Sequence, residues 1–354
     1  MRLAYTNLKP PKAPLYSKTM FDPPPSDTIT ITDTHLASIP DLARLQISGL
    51  SIIHNKMKSL DNIRFPPTLT YLSIRRNNLQ PDGWPSFPLH NLQTLIADNN
   101  NIRYMPDDFA TIFPSLENLS LSDNNIQDTD FLRHCTNLKK LCLDSNNIMT
   151  LNHLPPNLEE LSVNDCVIHI IQSRLPSTLQ KLELSGNRLK FAGMPFHWGT
   201  SLRSLDLSKN EIKRFPRKLP DTLETLSIQN NSIDVLPDTL PESLRFLNIT
   251  RNNIRTLPNY VRNKPIQCFL ISNNQLISYT KPDWTIVFYA EHNWNTTIHH
   301  MSQKKIKKLW RYINLMKRLR NYSRCYRIRH ELIEVAMQPS RCFQVDAISS
   351  SWLT

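Results

Sequence analysis

Three short motifs in this 354-residue chain carry residue types able to do chemistry. Cys142-Leu143-Asp144 sets a thiol two residues from a carboxylate, the residue types of a cysteine nucleophile with an acidic neighbour. His330-Glu331-Leu332-Ile333-Glu334 begins like a helical zinc site, in which two imidazoles four apart hold the metal and a glutamate acts as base. Position 334 is glutamate, so the second imidazole is missing. His299-His300 is an isolated pair, better suited to a solvated turn than to a ligand set. No nucleophile, base and orienting group can be placed together from spacing. The expectation is a non-catalytic chain with no metal and no cofactor.

The elements that must position these residues form a repeat. One frame, LxxLxLxxNxL, recurs from residue 69 onward, as in Leu116-Leu119-Leu121-Asn124-Ile126 and Leu202-Leu205-Leu207-Asn210-Ile212. Copies start at 69, 92, 116, 138, 158, 179, 202, 223, 244 and 266, in steps of 20 to 24 residues. Leu143 is a core leucine of one copy, which places the Cys142-Asp144 motif inside a repeat strand. Alternation within LxL turns the apolar side of a short strand inward. A single coil cannot bury its own leucines, whereas a stack of coils shares one core. The asparagine stands where the chain leaves the strand, and its amide can pair with turn backbone that is otherwise buried unsatisfied. These residues are Asn77, Asn100, Asn124, Asn146, Asn187, Asn210, Asn231, Asn252 and Asn274, with Cys166 at the same place in one copy.

This frame resembles that of the leucine-rich repeat family over roughly residues 36–280. The resemblance implies an α/β-type repeat solenoid, a horseshoe with one parallel strand per repeat and a concave strand face that carries the binding site. The segments between strands repeat an LPxxLP theme, as in Leu236-Pro237-Asp238-Thr239-Leu240-Pro241, similar to the short repeats of secreted bacterial leucine-rich effectors. Proline lacks an amide donor and clashes with a preceding helical turn. A mostly extended convex side follows, with room for a helical turn near 107–114. Some of those effectors carry a ubiquitin-ligase domain with a CxD motif. Here the ~60 residues after the repeats are too few for such a domain, and the match is read as an accident of the strand.

Three segments are expected: a flexible proline-rich arm at 1–26, a solenoid with degenerate caps at 27–298, and a basic tail at 299–354. Asp27 to Thr32 alternates like a first strand. Leu42-Leu45-Ile47, with Leu50 at the asparagine position, reads as a degenerate repeat. Trp284-Val287-Tyr289-His292-Trp294 reads as a last, aromatic coil. From Met301 to Met337 there are 11 basic residues against 2 acidic ones, +9 of the chain's net +12. Among them are Lys304, Lys305, Lys307, Lys308, Arg311, Lys317, Arg318 and Arg320, interleaved with apolar residues at helical spacing. A basic amphipathic C-terminal helix is expected. Its stripe can dock on the last coil, or its charges can meet nucleic acid, an acidic membrane or a calmodulin-like protein.

Outward strand positions are mostly small and polar, for example Ser73, Ser120, Ser162 and Ser227. Asp144, Glu160, Asp165, Glu183 and Asp206 fall in adjacent coils, either as a solvated face of mixed charge or as a site for a basic partner segment. With 5 scattered glycines, no phosphate-cradling loop can be assembled. No apolar run reaches the ~18 residues of a membrane span, and the opening residues lack the apolar stretch of a secretory signal. The six cysteines show no framework spacing, so free thiols and an intracellular, cytoplasmic location are expected. The asparagine content and the basic, aromatic tail also resemble repeat proteins of large DNA viruses. The function expected is a protein–protein interaction scaffold. The alternative is a nucleic-acid-associated protein whose tail binds nucleic acid while the solenoid selects a partner.

Overall fold

The computed structural model describes residues 20–33, 35–39, 41–171, 174–190, 198–216, 218–264 and 266–276, and the backbone of 287–289. The chain divides into two compact units, Met1–Trp294 and Asn295–Thr354, and the second lies outside the described residues. The expected basic helix, including Lys304, Lys305, Lys307, Lys308, Arg311, Lys317, Arg318 and Arg320, therefore falls outside them as well.

The first unit is a solenoid built on one parallel sheet of thirteen short strands. In chain order these are β1 (Ile29–Thr32), β2 (Gly49–Ile53), β3 (Tyr71–Ser73), β4 (Thr94–Ile96), β5 (Asn118–Ser120) and β6 (Lys140–Cys142). After β7 (Thr150–Leu151) come β8 (Glu160–Ser162), β9 (Ile170–Ile171), β10 (Lys181–Glu183) and β11 (Ser204–Asp206). The series closes with β12 (Thr225–Ser227), β13 (Phe246–Asn248), β14 (Cys268–Leu270) and β15 (Val287–Tyr289). Strands β7 and β9 pair with each other on the return side, and the remaining thirteen follow one another in sequence order.

Register is set by the middle leucine of each copy. Leu72, Leu95, Leu119, Leu141, Leu161, Leu182, Leu205, Leu226 and Leu247 stand opposite one another down the sheet. All are buried, and with the flanking leucines and isoleucines they form one continuous core. A one-residue slip would turn every leucine to the other face, so burial fixes the register strongly.

Each predicted asparagine occupies the turn after its strand. Asn146 donates from Nδ2 to the carbonyls of Leu121 and Leu143 at 2.9 Å, and its Oδ1 accepts from the Ile126 amide at 2.9 Å. Asn100, Asn124, Asn187, Asn210, Asn231, Asn252 and Asn274 repeat this pattern, each joining its own coil to the one before. Asn77 does the same and receives the Met57 amide.

Two cap readings shift. Leu50 pairs with Leu72, so the first full copy runs Ile47-Leu50-Ile52-Asn55-Met57, and Leu50 is a core leucine rather than the asparagine equivalent. Asn55 takes the ladder role, receiving the Leu36 amide at 3.1 Å. Leu42 and Leu45 belong to the preceding return segment, the first buried and the second exposed. At the other end Phe288 stands opposite Phe269, so Val287 and Tyr289 take the outward register positions.

The return side is mainly extended. Its regular turns are α1 (Phe109–Ile112), in the stretch where longer repeats leave room, and 3-10 turns at Asp130–His134 and Asn259–Asn263. The prolines contribute acceptors instead of helix: the carbonyls of Pro66, Pro155, Pro176, Pro220 and Pro241 each accept the amide three residues on. Trp84, Phe109, Phe113 and Phe131 pack largely edge to face behind β4 to β6. Among the described residues no helix is long and apolar enough to cross a membrane.

Candidate functional site

With one face of the sheet on the core, the other offers two outward positions per short strand and one just after it. This outer face is the candidate site. Its side chains are tied to each other across coils rather than standing free. Asp98 accepts from Arg75 Nε at 3.0 Å, from Ser120 Oγ at 2.5 Å and from the Ser122 amide at 3.0 Å. Asp144 accepts from Ser162 Oγ and from the Asn164 amide, both at 2.7 Å. Asn164 passes the connection on, its Oδ1 receiving the Ser185 amide at 2.7 Å. Further along, Ser208 and Ser227 share a hydrogen bond of 2.7 Å, and Asn248 donates to Gln229 at 2.9 Å. A polar ladder thus spans the face, which removes much of the rotamer entropy that a partner would otherwise have to freeze.

Four of the five acidic residues singled out from sequence gather on this face. Glu160, Glu183 and Asp206 lie on β8, β10 and β11, and Asp144 follows β6 directly. Asp165 does not join them: it is exposed at the turn beyond β8, in the left-handed region at φ 50. Glu160 pairs with Lys140 at 3.3 Å, and Glu183 pairs with Lys181 at 2.9 Å. Burial pushes the carboxyls of Asp144 and Asp206 above the usual aspartate range, with nearby Glu183 adding to the effect on both. Asp98 is raised by burial too, against the opposing pull of Arg75. The connecting roles of Arg75, Asn164 and Gln229 were not singled out from sequence. Their parity, three residues beyond the central leucine, was the available signal.

The Cys142-Asp144 pair is built into this ladder. Cys142 is buried, its sulfur lies 3.0 Å from Ser122 Oγ, and its pKa is pushed well above the ordinary thiol value by burial and then by Asp144. Such a thiol stays protonated at neutral pH and lacks nucleophilic character. Among the described residues no group of three or more His, Cys, Asp or Glu comes together to hold a metal ion.

Comparison with known proteins matches two family models. Residues 114–156 match the model "Leucine Rich repeats (2 copies)", and residues 65–83 and 200–213 match "Leucine Rich repeat". Lumican of Gallus gallus is 26% identical over 223 residues, 57% of this chain and 62% of lumican. A chain in the octameric complex of Latrophilin 3, Unc5D and FLRT2 is similar in fold at a TM-score of 0.61 and 24% identity, over 70% of this chain and 81% of that one. YopM, a leucine-rich effector protein of Yersinia pestis, superposes at a TM-score of 0.61 and 23% identity, over 76% of this chain and 78% of its own. The curated relatives are spanned only in part, over 14% to 62% of their length. The resemblance to viral repeat proteins finds no support in these matches.

Proposed function

We propose that this chain, a leucine-rich repeat protein, is a protein-interaction module that binds a basic segment of another protein through the outer face of its sheet, on the half formed by β8 to β14. The observation that carries this reading is the juxtaposition of Glu160, Glu183 and Asp206 on three neighbouring strands, with Asp144 beside them. Each of the three strand residues remains part-exposed, so a partner can reach them. Two lysines offset part of the charge, and a cationic group displacing Lys181 from Glu183 would meet Asp206 on the next strand. Complementary charge on a preorganised face favours fast, orientation-specific association more than raw affinity. The fold neighbour in the Latrophilin 3 assembly was solved with other proteins, which is consistent with a recognition role. The family's concave-face habit points to the same surface.

The test uses the full chain, a chain ending at residue 298, and a Glu183→Lys, Asp206→Lys double variant as baits in cell extract, with and without nuclease. One protein retained by the first two after nuclease, and lost by the double variant, supports the reading. Retention by the double variant places the site elsewhere. Enrichment that disappears with nuclease or with the tail transfers the function to residues 299–354 and to nucleic acid.

A further inference from the structure

On the other half of the outer face, large outward side chains are buried. Tyr71 on β3 is flanked in register by Gly49, which has no side chain, and by Thr94. Ile96 on β4 is flanked by Ser73 and Ser120. These register neighbours are too small to hide a tyrosine ring or a four-carbon branched chain by themselves, yet Tyr71 is 8% exposed and Ile96 2%. On the far half, Leu270 holds the same outward position on β14 and is part-exposed. Register neighbours alone do not account for the burial at β3 and β4.

Three contacts trace what completes it. Asp27, two residues before β1, accepts from the Ser48 amide at 2.7 Å and from the Ser48 hydroxyl. Thr28 leans over Gly49 so closely that a Cβ at 49 would collide with its hydroxyl. Five strands further along, the carbonyl of Met20 accepts from Lys140 Nζ on β6 at 3.1 Å, and Met20 itself is 4% exposed. Five inter-strand spacings amount to about 24 Å and nine extended residues reach about 30 Å, so even with the turn at Pro25–Thr28 the chain is long enough to cross the sheet to the end of the Lys140 side chain. Pro23, Pro24 and Pro25 suit that path, because they hold the chain extended and have no amide that would need a partner. Thr28 then turns the chain into β1, its amide and hydroxyl both donating to the Pro25 carbonyl.

We infer that residues 20–28 form a strap across the outer face from β2 to β6, an internal occupant that covers Tyr71, Ile96 and Cys142. Any partner using that half must displace it, and Lys140, which holds both Met20 and Glu160, joins the covered half to the acidic one. The placement of the strap is independent of whether a basic partner exists, so its test contains no partner. The full chain, a chain beginning at Asp27 and a full-length Met20→Asp variant are footprinted with hydroxyl radicals and read residue by residue by mass spectrometry. Removing the strap is expected to raise modification of Tyr71, Ile96 and Cys142 at least threefold. Core Leu119 should stay unreactive and Leu270 unchanged. Met20→Asp is expected to produce a smaller rise at the same three residues. If truncation exposes Leu119 as well, the coils have opened, and the point variant alone decides. Unchanged protection of the three residues in a folded truncated chain, or in the point variant where truncation opens the coils, would overturn the strap.

Discussion

The backbone amide of Asn146 donates to the sulfur of Cys166 at 3.4 Å, and that sulfur lies 3.4 Å from the carbonyl of Leu143. Cys166 thus occupies the asparagine place with one proton and weak acceptor capacity. Burial drives its pKa up to about 12, so the proton is retained. In the coil before it, Asn146 makes three donations and one acceptance at the equivalent point.

Cys166→Asn should therefore stabilise the protein. The backbone there already has the shape that receives an asparagine in neighbouring coils. Two or three further hydrogen bonds at about 0.5–1.5 kcal/mol each, less the cost of fitting a slightly larger group, give a net gain of about 1–2 kcal/mol. A urea midpoint that moves up, with unchanged slope, is the expected result. Cys166→Ala should move it down. A lower midpoint for the asparagine variant would mean that this coil has closed around the smaller residue.

Leu205 measures the shared core. It is 1% exposed and lies in register between Leu182 and Leu226. Truncation to alanine should cost about 2–5 kcal/mol, because stacked coils on both sides limit collapse into the cavity. Val235, 60% exposed, is the control, and its truncation should stay within about 0.5 kcal/mol. Thermal melts showing equal effects at the two sites would refute the register.

The pH dependence follows from the raised aspartates of the outer face. A carboxyl whose pKa is higher folded than unfolded binds more protons in the native state between the two values. Its contribution to stability is therefore largest below the unfolded value and falls as pH rises through the window up to the folded one. For Asp144 and Asp206 that window lies above 3.8, so lowering the pH toward 3.8 should stabilise these sites, opposite to a salt-bridged aspartate. Asp144→Asn keeps an acceptor for Ser162 and Asn164 and removes the titration. Its stability at neutral pH should match or exceed that of the parent, with a smaller gain on acidification. Parallel stability curves for the two proteins, followed from pH 7 down to the unfolded value of 3.8, would contradict this.

The leucine frame and the asparagine ladder were legible because both arise from periodic burial: the equivalents of Leu182 and Asn187 recur in nearly every coil for the same physical reason. The caps were less so. At Leu50 a degenerate copy offered two frames, and only pairing with Leu72 selects one. At Phe288 an aromatic-rich stretch alternates equally well in either parity, so pairing with Phe269 is needed to decide. Outward parity placed Glu183 and Asp206 on one face, whereas Asp165 was grouped with them only by coil adjacency, and the turn carries it off the sheet. The reach of Met20 to Lys140 spans 120 residues and has no periodicity to betray it.

A last regularity shows only in part in residue type, through the asparagines, aspartates and one glycine among its positions. The residue just before each ladder position has a positive φ: His54, Arg76, Asn99, Asp123, Ser145, Asp165, Gly186, Lys209, Asn230, Arg251 and Asn273. Left-handed backbone is uncomfortable for a side chain with a Cβ, by roughly 1–2 kcal/mol, and least so for asparagine and aspartate. Only Gly186 escapes the strain in this row, and a Cβ there would also meet the Asp165 carboxylate. Gly186→Ala should therefore cost about 1–2 kcal/mol, and less when made in an Asp165→Ala background, measured against the Asp165→Ala single variant, where the space is clear and only the backbone cost remains. Lys209→Gly should do the reverse. Relief of its φ of 53 outweighs the extra disorder that glycine brings to the unfolded chain, for a net gain of about 0.5–1 kcal/mol. Denaturation midpoints of these variants check both signs together. If glycine at 209 lowers stability while alanine at 186 is neutral, the left-handed turn is not the strained element, and the ladder asparagine beside it must be holding the turn without cost.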